Sequence, residues 1–151
     1  MSNFGSVNEA LDFAIAREEE AVQFYTDLAG RVDKEWMKQI FEQFAGEERG
    51  HKAKLQGIKD GHKLLPAEKQ VQDLKIGDYL VADEPNPKMD YQDALILAMK
   101  KEKKAFLLYT NLAAATEDET LSQIFQALAQ EEAKHKLRFE VEYDDYVLKE
   151  N

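Results

Sequence analysis

Two copies of a Glu-x-x-His motif give this sequence its clearest chemical signal. Glu48 is followed three residues later by His51, and Glu132 is followed in the same way by His135. On a helix, residues three apart lie on the same face, so the carboxylate and the imidazole of each motif can reach one ion. The spacing therefore predicts a metal ligand pair in each half of the chain.

Two further glutamates, Glu18 and Glu102, occupy positions where the surrounding helical pattern places an apolar residue. A buried carboxylate without a partner costs on the order of several kcal/mol or takes up a proton. No lysine or arginine shares these apolar stripes. Two divalent cations would neutralise four carboxylates, so the pattern predicts a buried two-metal site. Its candidate ligands are Glu18, Glu48, His51, Glu102, Glu132 and His135.

The chain matches itself at an offset of 84 residues without a gap, as Glu18 and Glu102 illustrate. About two in five positions of residues 10–52 recur in residues 94–136, far above what average composition produces by chance. Tyr25 recurs as Tyr109 in the same alignment. The sequence therefore predicts a duplicated helical hairpin.

Each half contains two amphipathic helical patterns. Ser6 and Glu9 form a capping-box signature before the first helix, and Asp90 is the predicted N-cap of the third. The spacing alternates between three and four residues, as in left-handed bundles. The first and third stripes are Leu11, Ala14, Glu18, Ala21, Tyr25 and Leu28, and Leu95, Ala98, Glu102, Ala105, Tyr109 and Leu112.

A long segment, residues 62–89, separates the two hairpins and contains Pro66, Pro85 and Pro87. It could run back along a helix of about 40 Å, which an antiparallel turn does not require. Such a crossover is typical of ferritin-like topology. We therefore expect an all-α, ferritin-like four-helix bundle of two duplicated hairpins in one domain, 1–151. The expected hairpins are residues 6–61 and 90–149, and the apolar residues of the crossover are expected to pack on the bundle.

Composition limits the classes of partner and metal site. A net charge of -10 and a pI near 4.8 argue against nucleic acid and anionic membranes as partners. The absence of cysteine excludes disulfides, thiolate zinc sites and iron–sulfur clusters within this sequence. The start shows no signal peptide and no apolar run has the length of a membrane span, so we expect a cytoplasmic protein.

These motifs resemble those of the rubrerythrin and ferritin-like di-iron family. The resemblance rests on Glu18 with Tyr25, Glu102 with Tyr109, and the two Glu-x-x-His motifs. It implies two iron ions, and the ligand set also suits manganese, with zinc as a further alternative. It further implies that Glu18 and Glu102 are terminal ligands, that the motif glutamates bridge the metals, and that the two tyrosines donate hydrogen bonds to the carboxylates.

The sequence departs from the family pattern at two points. Rubrerythrins typically carry a further glutamate three residues after the third-helix ligand, where this chain has Ala105. They also carry a four-cysteine rubredoxin domain, which this sequence lacks. The resemblance therefore implies that electrons come from a separate donor protein.

The functional prediction is an oxidoreductase that reduces hydrogen peroxide or O2 in defence against oxidants. The alternatives are a ferroxidase that binds or stores iron, and an interaction bundle with a vestigial site. Oxygenases are disfavoured because the sequence shows no pocket for an organic substrate. The final helical pattern continues past Phe139, which predicts a homodimer, and exchange of hairpins between two chains is left open.

Charged residues beside the candidate ligands are interpreted as solvent-facing. This interpretation covers Glu47 and Glu131, which directly precede the motif glutamates, and the lysines around Glu102. No role in the site is predicted for any of them.

Overall fold

The protein is a bundle built from two helical hairpins. Its structure, a computed structural model, describes residues 3–81 and 90–150, and for residues 149 and 150 it describes the backbone alone. These ranges contain no β-strand, so the predicted all-α class is confirmed. The five α-helices are α1 Val7–Arg31, α2 Glu35–Asp60, α3 Glu68–Gln72, α4 Tyr91–Ala115 and α5 Glu119–Glu150.

Side-chain caps fix where two of the long helices begin. The Ser6 hydroxyl accepts a hydrogen bond from the backbone N–H of Glu9 at 3.1 Å. At the start of α4, Asp90 accepts one from the N–H of Asp93 at 2.8 Å. Each cap satisfies an N–H that the helix leaves unbonded, at a gain of about 1 kcal/mol. Both predicted N-caps are therefore confirmed.

Short turns close both hairpins. Residues 32–34 connect α1 to α2, and residues 116–118 connect α4 to α5. Asp118 accepts a hydrogen bond from the N–H of Leu121 at 2.9 Å, which caps α5. Because each turn is so short, α1 packs against α2 and α4 packs against α5 along their lengths.

The described part of the crossover packs on the bundle, as predicted. It contains α3 and two short 3₁₀ turns, Leu65–Ala67 and Ile76–Tyr79. Val71 and Tyr79 are buried, and the Asn111 amide donates a hydrogen bond to the Tyr79 hydroxyl at 2.7 Å. Pro85 and Pro87 lie outside the described residues, together with the rest of 82–89.

Two apolar clusters fill the bundle, one on each side of its middle. One includes Leu11, Leu55 and Phe125, and lies toward the turn between α4 and α5. The other includes Leu28 and Phe139, and lies toward the turn between α1 and α2. Along every long helix the candidate ligands lie between the two clusters. The core therefore encloses the polar side chains at mid-bundle.

The additional length of α5 has a use within the chain. The Tyr146 ring packs edge-on against Tyr91 at the start of α4, with ring centroids 5.2 Å apart. The Tyr91 hydroxyl also donates a hydrogen bond to Glu142 at 3.2 Å. These contacts hold the end of α5 against α4. The homodimer predicted from this length stays a prediction.

None of the described helices combines the length and the apolar character that a membrane span requires.

Candidate metal centre

All six candidate ligands are buried at the middle of the bundle. Each is at most 2% exposed. Among the described residues, the buried glutamates and histidines are these six. Helices α1 and α4 contribute one glutamate each, and α2 and α5 contribute one Glu-x-x-His motif each. The structure thus brings together every residue that the sequence nominated as a ligand.

The ligands form two overlapping groups. Within each group, one ligand atom per residue lies within 4.8 Å of all the others. Glu48 and Glu132 belong to both groups, which is the arrangement that a bridging carboxylate requires. The first group is Glu18, Glu48, His51 and Glu132, and the second is Glu48, Glu102, Glu132 and His135.

Both imidazoles turn Nδ1 toward the carboxylates. His51 Nδ1 lies 3.2 Å from a Glu48 oxygen and 2.8 Å from a Glu132 oxygen. His135 Nδ1 lies 3.5 Å from Glu48 and 3.6 Å from Glu102. One nitrogen per group therefore faces the space between the oxygens, so Nδ1 is the candidate ligand atom.

The opposite nitrogen of each imidazole is held by a glutamate from the other hairpin. His51 Nε2 is hydrogen-bonded to Glu131, and His135 Nε2 is hydrogen-bonded to Glu47. Such a bond fixes the tautomer and the ring orientation of a ligating histidine. Phe44 adds to the orientation of His135 by stacking on it, with ring centroids 4.1 Å apart.

The solvent-facing interpretation of Glu47 and Glu131 was therefore wrong. Their side chains are 39% and 42% exposed, but each carboxylate reaches inward to a buried histidine. A sequence signal was available, because the glutamate recurs before the motif glutamate in both halves. Its partner lies in the opposite hairpin, so spacing along one helix could not reveal the contact.

The two predicted tyrosines also act across the hairpins. The Tyr25 hydroxyl donates a hydrogen bond to Glu102, and the Tyr109 hydroxyl donates one to Glu18. Burial raises the pKa of Tyr109 well above its usual range, so its hydroxyl keeps the proton that it donates. The tyrosine of each hairpin thereby positions a ligand glutamate of the other hairpin, Glu102 on α4 or Glu18 on α1.

Several buried atoms at the centre make no hydrogen bond of good geometry, although some lie close together, as His51 Nδ1 and Glu132 do. They include Nδ1 of both histidines and both oxygens of Glu132. One oxygen each of Glu18, Glu48 and Glu102 is also without a partner. Buried polar atoms normally have hydrogen-bond partners, so a cluster of unpaired carboxylate oxygens and imidazole nitrogens, all able to ligate a cation, fits a metal site.

Burial keeps protons on the carboxylates when no metal is bound. It raises the pKa of Glu48 to about 7, with a further contribution from the charge of Glu132. Burial and the charge of Glu48 raise the pKa of Glu18 to about 7, and burial raises that of Glu102 to about 8. The pKa of Glu132 is also raised well above its usual range by burial and by Glu102. Cations that replaced these protons would remove the cause of the shifts.

A cavity of about 200 Å³ lies between α1 and α4 and reaches the four glutamates. Ala21 and Ala105 line it and are partly exposed, although the stripes placed them in the core. Lys101 and Lys104 lie at its outer end. The sequence pattern did not predict this cavity beside the ligands.

The raised pKa values predict that the metal-free protein loses stability as pH rises. Between about pH 4.5 and 8 its folded state keeps protons that the unfolded chain releases, so the free energy of unfolding falls across that window. We expect the metal-free Tm to drop by about 10 °C between pH 5 and pH 8. Protein loaded with Zn²⁺ should show a gain in Tm that grows with pH, because binding releases protons. A metal-free Tm that was constant or higher at pH 8 would contradict this electrostatic description.

The contact between Glu131 and His51 predicts an effect on metal affinity. Glu131→Gln removes the negative charge beside Nε2, so affinity for Mn²⁺, measured by calorimetry, should fall about tenfold or more. Glu47→Gln should act similarly through His135. Glu19→Gln is the matched control, because Glu19 is exposed and pairs with Lys52 at 2.8 Å. Equal affinities in all three variants would show that these contacts do not orient the ligands.

Comparison with known proteins agrees with this geometry. The sequence model of the rubrerythrin family matches residues 9–82 and 93–151. A crystal structure of a protein from Thermotoga maritima, described as ferritin-like and diiron-carboxylate, superposes with a TM-score of 0.80 at 20% identity. The superposition covers 97% of this chain and 99% of that chain, so it confirms the ferritin-like fold. Among curated proteins, no sequence matches.

The family match spans both hairpins and includes every residue of the buried cluster. On this evidence the chain belongs to the rubrerythrin family.

Proposed function

We propose that the protein is a di-iron oxidoreductase that reduces hydrogen peroxide or O2 in defence against oxidants. The observation that carries the proposal is the pair of overlapping ligand groups that share Glu48 and Glu132. Two metals held by shared carboxylates would supply electrons together for reduction of one oxygen–oxygen bond. Membership of the rubrerythrin family supports reduction of peroxide or O2 as the class of chemistry.

Iron is the proposed metal because of the donor set. Each group offers three carboxylates and one imidazole, a combination that suits iron or manganese. Glu18 and His51 would hold one ion, Glu102 and His135 the other, and Glu48 and Glu132 both. When bound, an iron pair supplies two electrons in passing from ferrous to ferric and leaves coordination positions for an oxygen ligand.

The chain's own contribution is to orient the ligands and limit access to them. The tyrosine hydroxyls hold Glu18 and Glu102 in place, and the glutamates on Nε2 hold the imidazoles. The apolar clusters on both sides keep bulk water from the middle of the bundle. A reactant would reach the carboxylates through the cavity between α1 and α4.

Turnover would require an external reductant. Residues 1–151 contain no cysteine, so no rubredoxin-type centre can form within them. We propose that a separate electron-donor protein restores the reduced metals. We also propose a cytoplasmic location, and a homodimer formed through the long helix α5.

Iron storage by a ferroxidase is the second candidate. It needs many irons per chain and a closed cage, whereas the site described here offers two groups of ligands. Counting iron per chain after aerobic loading, together with native mass measurement, separates storage from peroxide turnover.

Removing His51 should abolish both metal binding and turnover. His51→Ala deletes the only nitrogen ligand of the first group and leaves three carboxylates to hold that ion. Peroxidase activity should therefore fall about 100-fold or more. Iron content by elemental analysis should fall in parallel.

The control for this variant is His62→Asn. His62 is exposed, and asparagine tolerates its left-handed backbone, φ 53°. This variant should keep two irons and the wild-type rate. A His51→Ala protein that retained two irons and full activity would refute the assignment of the site.

A further inference from the structure

The cavity beside the metal centre is larger than hydrogen peroxide or O2 requires. It measures about 200 Å³, and its inner end is formed by the candidate ligands. A protein cavity of about 150 Å³ can hold benzene, whereas one water molecule takes about 30 Å³. Two metals with their water ligands would occupy the inner end, so the space for a further molecule is the apolar middle and the outer part of the cavity. The space therefore suits a small organic molecule.

The middle of the cavity is apolar. Ala21 and Ala105 occupy equivalent positions on α1 and α4, and Leu108 lies one turn further along α4. Leu80 and Val81 from the crossover complete this wall. Both alanines line the space, so a longer side chain at either position is expected to narrow it. The two alanines thus set the width of the cavity next to the ligands.

Polar groups lie at the two ends of the cavity. At the outer end, Arg17 stacks on Phe13, 4.6 Å from the ring centroid, and pairs with Glu20 at 3.0 Å. Lys101 lies 3.7 Å from the same glutamate. At the inner end lie the carboxylates and tyrosines of the centre. A molecule that matched this pattern would direct oxygen atoms inward and hydrocarbon along the alanine wall.

We propose that the cavity admits compact organic hydroperoxides, with Ala21 and Ala105 as the residues that determine substrate size. The inference rests on the proposed function and specifies its substrate class. The reaction is reduction of R–O–O–H to R–OH and water. The oxygen–oxygen bond breaks, the reduced metal pair supplies two electrons, and solvent supplies two protons. The separate donor protein then returns the two electrons to the metals.

The kinetic test compares two oxidants on the reduced, iron-loaded protein. tert-Butyl hydroperoxide has as many non-hydrogen atoms as benzene and should oxidise the wild-type centre. Ala105→Leu and Ala21→Leu narrow the cavity, so kcat/KM for tert-butyl hydroperoxide should fall about tenfold relative to that for hydrogen peroxide. Ala16→Leu adds the same side chain on the exposed face of α1 and should leave this ratio at the wild-type value.

A binding test needs no turnover. tert-Butanol, the product alcohol, should bind the zinc-loaded wild-type protein and give saturation-transfer NMR signals. Ala105→Leu should lose these signals, because the leucine occupies the same space, and Ala16→Leu should keep them. Circular dichroism and zinc content should show that all variants are folded and loaded.

The outcomes separate this inference from the proposed function. If hydrogen peroxide oxidises the wild-type centre but tert-butyl hydroperoxide does not, the substrate class is wrong and the proposed function stands. If neither peroxide oxidises the centre, the substrate class is wrong, and the proposed function fails with it when O2 does not oxidise the centre either. An equal loss of rate for the two oxidants in Ala105→Leu, or tert-butanol signals that survive it, would also overturn the assignment of the alanines.

Discussion

Four carboxylates are buried at one level of an apolar bundle, and their charge governs both the stability and the chemistry of this protein. Their mutual repulsion and desolvation would oppose folding unless protons or cations compensate, and their raised pKa values express that demand. The apolar clusters on either side keep bulk water from the two ends of the site, so protons or cations must supply most of the compensation. The fold and the metal chemistry are therefore linked. The carboxylates that would bind the ions are also the groups whose uncompensated charge most destabilises the bundle.

The duplicated sequence meets this constraint through contacts exchanged between the two halves. Tyr109 of the second hairpin binds Glu18 of the first, and Tyr25 binds Glu102 in return. The glutamates on the histidines follow the same rule. Neither hairpin contains a complete ligand environment, since each supplies three ligands to one group and one to the other, and orients ligands of its twin. A substitution of one of these contact residues on one hairpin should consequently change the orientation of a ligand on the other.

Much of the fold and the ligand set could be predicted from the sequence because both follow periodic patterns. The repeat fixed the two hairpins, Ser6 and Asp90 marked helix starts, and glutamates in apolar stripes marked the centre. Contacts between helices of opposite halves could not be predicted in this way. The partners of Glu47 and Glu131 depend on how the hairpins face each other, and the cavity at Ala105 depends on the separation of α1 and α4. The spacing of residues along one helix predicts neither the relative orientation of the hairpins nor the separation of α1 and α4.

Divalent cations in the space between these carboxylates would balance the buried charge. A crystal structure of the iron-loaded protein, with anomalous diffraction collected at the iron edge, would locate them. We expect two anomalous peaks per chain, each beside one histidine Nδ1 and both in contact with Glu48 and Glu132. Iron located elsewhere, or a fully ordered centre with no peak at all after loading, would contradict it.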